Sequence, residues 1–152
     1  MAKIGKSALI VYFALACSHY AAPSFAKAAK KDQQKINAKL VCGPHSADPE
    51  KWRAFQANMV FTLSENQLQA TRQWKTGGNR GQVVFNGTVS PVGGILVSGK
   101  GFDKYGSEWV YEFAGYRNEN GDTTLVGELK NTNGAIGSRD CQLIFFKPRS
   151  PL

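Results

Sequence analysis

From Leu40 to Phe146 apolar residues recur at every second position in short runs, and no other feature constrains the fold as tightly. Met59, Phe61 and Leu63 alternate with Val60, Thr62 and Ser64, and Leu68, Ala70 and Trp74 alternate with Gln69, Thr71 and Gln73. The same beat returns in Val83, Phe85 and Val89, in Ile95 and Val97, in Trp109, Tyr111 and Phe113, and in Leu125 and Leu129. It returns last in the run from Cys141 to Phe146. Between the runs stand turn residues: Ser64–Gln67, Thr76–Gly81, Pro91–Gly94, Asp103–Gly106, Arg117–Asp122 and Asn131–Gly137. Side chains of a strand alternate between its faces, so this pattern predicts an antiparallel meander of about eight strands.

Glycine placement sharpens the reading. Gly87, Gly99, Gly115 and Gly127 fall inside predicted strands, on the same face as the large apolar residues. Glycine inside a strand gives up packing and costs backbone entropy, so its recurrence needs a structural reason. Inward-facing glycines let a sheet coil tightly and close on itself. The opposite face carries Gln, Thr, Asn, Ser, Lys and Glu, which does not suit a lipid-facing band. The expected fold is all-β: a soluble, about eight-stranded up-and-down barrel. A two-sheet β-sandwich is the alternative, because both architectures alternate with period two.

The chain begins with a short basic segment containing Lys3 and Lys6, an apolar run from Ser7 to Cys17, and small residues Ser24 and Ala26. This predicts a secretory signal over residues 1–26, cleaved after Ala26. Cleavage before Cys17, as in a lipoprotein, is disfavoured because Leu15 occupies the wrong position for a lipobox. Export leaves Cys42 and Cys141, which an oxidising compartment joins into one bridge. In an up-and-down barrel the first and last strands become neighbours, which brings these two cysteines within bonding distance. The expected location is secreted or periplasmic.

The chain carries 19 Lys and Arg against 11 Asp and Glu, a net charge of +8. Removal of Lys3 and Lys6 with the signal lowers this to +6, and residues 27–39 (KAAKKDQQKINAK) supply +4 of it. The basicity therefore reads as a solvated linker over 27–39 ahead of a nearly neutral barrel over 40–148, with a short tail at 149–152. Nothing interleaves basic and aromatic residues on one element, which argues against nucleic acid. Weak contact of the linker with anionic surfaces is expected.

Catalytic chemistry finds few residues. His45 is the sole histidine after the signal, and Cys42-Gly43-Pro44-His45 lacks the second ligand pair of a metal site and the βαβ context of a redox turn. Glu112 and Glu128 fall on the outer face, and Asp103, Asp122 and Asp140 fall at turns or strand starts, so no carboxylate pair flanks a cleft. The expectation is no enzyme, no cofactor and no metal. Trp74, Trp109, Tyr111 and Phe113 crowd the predicted interior and are the candidate ligand-binding residues.

The succession Phe85-Asn-Gly87, Trp109-Val-Tyr111-Glu-Phe113-Ala-Gly115 and Gly137-Ser-Arg139-Asp-Cys141-Gln-Leu143 resembles a pattern in uncharacterised exported all-β modules of bacteria. It spans about the last two-thirds of the chain, and it implies an envelope location and no catalysis. The architecture is similar to lipocalin- and avidin-type barrels without their motifs: Trp52 follows Pro49-Glu50-Lys51 where a lipocalin has Gly-x-Trp. That similarity implies that Arg139 closes one barrel end over an aromatic ring. Two functions remain in view. The first is a protein-interaction module of the envelope, an inhibitor or accessory subunit acting through loops 75–81, 103–107, 117–122 and 131–137. The alternative is a carrier of a small apolar ligand in the barrel interior.

Overall fold

The computed structural model describes residues 32–132 and 137–147. The expected signal, residues 27–31 and the tail lie outside them. Eight strands follow one another: β1 (Gln33–Cys42), β2 (Phe55–Ser64), β3 (Gln67–Thr76), β4 (Asn79–Val89), β5 (Gly94–Asp103), β6 (Glu108–Tyr116), β7 (Thr123–Asn131) and β8 (Ser138–Phe145). Each pairs antiparallel with the next, and β1 pairs with β8 to close a barrel. The sandwich is thereby set aside. Cys42 faces Cys141 in the β1–β8 register, and a disulfide joins them with 4.1 Å between Cα atoms. Residues 48–52 form a turn closed by Trp52 N–H donating to the Asp48 carbonyl, with Asp48 Oδ1 accepting from Lys51 N–H.

Sequence reasoning places the first strand too late. β1 starts at Gln33, so residues 33–39 belong to the barrel wall and not to a linker. Ile36, Ala38 and Leu40 face inward, while Lys35 and Lys39 face out across β2. Lysine, glutamine and alanine dilute the apolar beat here until it resembles a solvated tail. Pairing with β2 along all ten residues decides otherwise.

The core fills the middle of the barrel. Leu40, Phe61, Phe85, Leu125 and Leu143 are fully buried, and each such side chain contributes about 1.5–3 kcal/mol by leaving water. Phe61 meets Phe85 and Phe145 at ring-centroid distances of 6.0 and 5.0 Å, and Phe85 meets Tyr111 at 5.2 Å. The inward glycines make room for a ring or for a neighbouring strand's close approach. A Cβ on Gly99 would lie 2.6 Å from the Phe85 ring, and one on Gly87 2.7 Å from the Leu96 carbonyl oxygen. A glycine facing a ring across the ladder trades its own packing for the ring's.

Two topological facts position the functional site. The β1–β2, β3–β4, β5–β6 and β7–β8 connections gather at one end of the barrel, and the other connections gather at the opposite end with the start of β1 and the end of β8. Loops 75–81 and 103–107 and the described flanks of 131–137 therefore share a mouth, and 117–122 lies at the far end. In addition, β2 and β3 pair only through Thr62–Gln69, Leu63–Leu68 and Ser64–Gln67, near their shared turn. Towards the mouth the two strands leave a lateral seam, bordered by Met59 and Val60 on one side and Thr71, Arg72 and Gln73 on the other.

Candidate ligand cavity at the barrel mouth

Above the packed rings the barrel opens into a cavity of about 430 Å³, within the range of small-molecule sites. Its aromatic wall is built by cross-strand pairing. Trp74 stands opposite Gly81, and Trp109 opposite Gly101. Each indole lies over its glycine, and a Cβ on Gly81 would come 2.5 Å from the Trp74 ring. The two indoles are 6.1 Å apart between centroids and inclined at 38°, so they form one continuous surface and leave no slot for a third ring between them.

Tyr111 and Leu129 lie deeper in the cavity. Burial pushes the Tyr111 hydroxyl up to about 12, against the opposing pull of Arg72, Arg139 and the Trp109 N–H. The phenol thus stays neutral and able to donate. Arg139, on β8, is buried at 8% exposure. Its Nη1 donates to the carbonyls of Gly43 at 3.0 Å and Arg53 at 2.7 Å, and its guanidinium lies 5.4 Å from the Phe55 ring centroid. The expected aromatic contact of this arginine is therefore present, with Phe55 as the ring. Burial holds the Arg139 guanidinium below its ordinary range, with Tyr111 opposing the shift. Arg72 lies on β3 between Ala70 and Trp74 and borders both the cavity and the seam.

At the rim, Asn79 Nδ2 donates to Asp103 Oδ2 at 3.0 Å, and Asp103 Oδ1 accepts from the N–H groups of Tyr105 and Ser107. Burial raises this carboxyl, but these hydrogen bonds outweigh it and leave Asp103 below the usual carboxylate range. Two buried atoms lack a partner of normal hydrogen-bond distance and angle: Nε2 of His45, and Nε1 of Trp109, which still acts on the Tyr111 hydroxyl. Both residues border the cavity. The Ala47 N–H donates to His45 Nδ1 at 3.2 Å, which puts the imidazole proton on Nε2. Each of the two atoms is thus a donor.

Of the four side chains singled out from sequence, Trp74, Trp109 and Tyr111 line the cavity. Phe113 does not. It sits two residues further along β6, buried among core side chains and stacked on the far side of Tyr111 at 6.0 Å. Sequence reasoning passed over Arg72, whose signal is a charged residue at an inward register position. It weighed His45 only against metal and redox chemistry, and no local pattern marks that side chain as buried. Among the described residues no group of three His, Cys, Asp or Glu side chains is placed to hold a metal ion.

The far end of the barrel carries a second depression of about 380 Å³, floored by apolar residues including Leu68, Ile95 and Phe145. Several of the polar groups at its rim satisfy one another: Thr123 Oγ1 accepts from Asn118 N–H, Asp122 Oδ1 from Lys147 N–H, and Lys147 Nζ donates to the Glu119 carbonyl. Its loops close on themselves. The chain matches no protein-family model, no curated protein and no solved structure.

Proposed function

We propose that this protein binds a small ligand in the mouth of its barrel without transforming it. The carrying observation is the open cavity walled by Trp74, Trp109 and Tyr111, with Arg72 and Arg139 on its lining. A concave, largely apolar space with a few convergent polar groups is the form that small-molecule sites take. The Cys42–Cys141 bridge fits an oxidising compartment, secreted or periplasmic, where a carrier meets its ligand outside the cytoplasm.

Loop-mediated recognition of another envelope protein is the second reading. Tyr105 and Trp52 support it, standing 71% and 52% exposed on mouth loops, since exposed aromatics are favoured anchors at protein interfaces. Native mass spectrometry of the protein recovered gently from its own compartment tests the choice. A stoichiometric small-molecule adduct lost on unfolding is the expected result. A bare mass, or one that includes a protein partner, overturns the carrier reading.

A further inference from the structure

Two cations and one acid line the cavity, among neutral side chains such as Gln56, Thr76 and Asn131. Arg72 and Arg139 are the cations. Asp103 is the one acid among the lining residues, and its two oxygens are already committed to Asn79, Tyr105 and Ser107. Neither arginine forms an ion pair among the described residues, and the partners of Arg139 are two neutral carbonyls and a ring. A desolvated guanidinium without a counter-charge is costly, and guanidinium groups bind carboxylates through short, directional, often paired hydrogen bonds. The remaining wall is the continuous face of Trp74 and Trp109, which offers a planar ring a stacking surface.

We propose that the cavity takes a planar aromatic carboxylate, its ring against Trp74 and Trp109 and its negative group between Arg72 and Arg139. This assignment rests on the carrier reading and narrows it from an apolar ligand to an anionic one. The uncompensated charge carries the narrowing: an apolar ligand would leave both guanidinium groups without a counter-charge. Arg72 also borders the β2–β3 seam, so the same cation stands where a ligand reaches the cavity from the side.

The test uses 2-naphthoate and its neutral near-isostere 2-naphthamide, titrated calorimetrically into the mature protein and followed by quenching of tryptophan fluorescence. Naphthoate is expected to bind at least about tenfold more tightly than the amide, and added salt to weaken only naphthoate. Arg72→Gln is expected to abolish that preference by lowering naphthoate affinity to about that of the amide. Arg139→Gln is the less useful variant, because Arg139 also ties down Gly43 and Arg53. Equal affinity of the wild-type protein for both probes overturns the anionic assignment and leaves the carrier reading standing, and this comparison needs no variant. Binding of neither probe to a protein that carries a native adduct also overturns the assignment alone. Binding of neither, together with a bare native mass, overturns both.

Discussion

Replacing Cys42 and Cys141 together by alanine probes how the barrel is held shut. The bridge spans 99 positions, and the chain-entropy model gives about 4–5 kcal/mol for closing a loop of that length. Against a total stability of about 5–15 kcal/mol for a domain, that is a large share. It corresponds to a fall in melting temperature of about 15–20 °C for a domain of this size. The register says where the loss appears first. β1 and β2 hold each other through ten pairs, but the hairpin they form joins its neighbours through only three pairs at β2–β3 and five at β1–β8. The bridge sits in the last of those five pairs, Cys42 opposite Cys141. Without it, the β1–β2 hairpin is the unit that detaches, so its amides should exchange by sub-global opening while β4–β6 exchange only on global unfolding. Calorimetry with residue-resolved hydrogen exchange measures both. A melting temperature lowered by less than about 5 °C, or a uniform loss of protection across all eight strands, would refute the argument.

Three further outcomes follow from the same geometry. Arg139→Met removes two charge-assisted hydrogen bonds to the Gly43 and Arg53 carbonyls and should cost about 2–3 kcal/mol in urea unfolding; an unchanged midpoint would show that loop 43–54 is held by other means. Gly99→Ala places a methyl 2.6 Å from the Phe85 ring and should cost about 1–3 kcal/mol through forced repacking, checked by the same titration. Tyr111 titrates at about 12 in the folded protein against about 10 unfolded. The unfolded state therefore loses its proton first as pH rises, so this contribution is intact below pH 10 and is lost between pH 10 and 12. The loss amounts to about 2–3 kcal/mol. Tyr111→Phe should remove that slope from an alkaline unfolding series, and an identical slope in both proteins would place the phenol in solvent.

The sequence by itself determined the strand pattern, the inward face and the joining of the chain's two ends by Cys42 and Cys141. These are local or pairwise matters. Period-two alternation assigns each side chain a face, and only a closed meander or a sandwich brings the first and last strands together. It also named Trp74, Trp109 and Tyr111 as interior aromatics, because a residue's face follows from parity alone. Depth along the barrel axis does not follow from parity, and for that reason Phe113 shared the signal of the cavity residues yet lies in the core. Depth depends on strand stagger and on which neighbour stands opposite, as Gly81 does for Trp74 and Gly101 for Trp109. β1 was invisible from Gln33 to Lys39 because an outer face rich in lysine resembles a linker until β2 pairs with it. The cavity's chemistry was decided last of all. Arg72, Arg139, His45 and Trp109 come from three strands and a loop, and they share one space only once the closed barrel sets them around it.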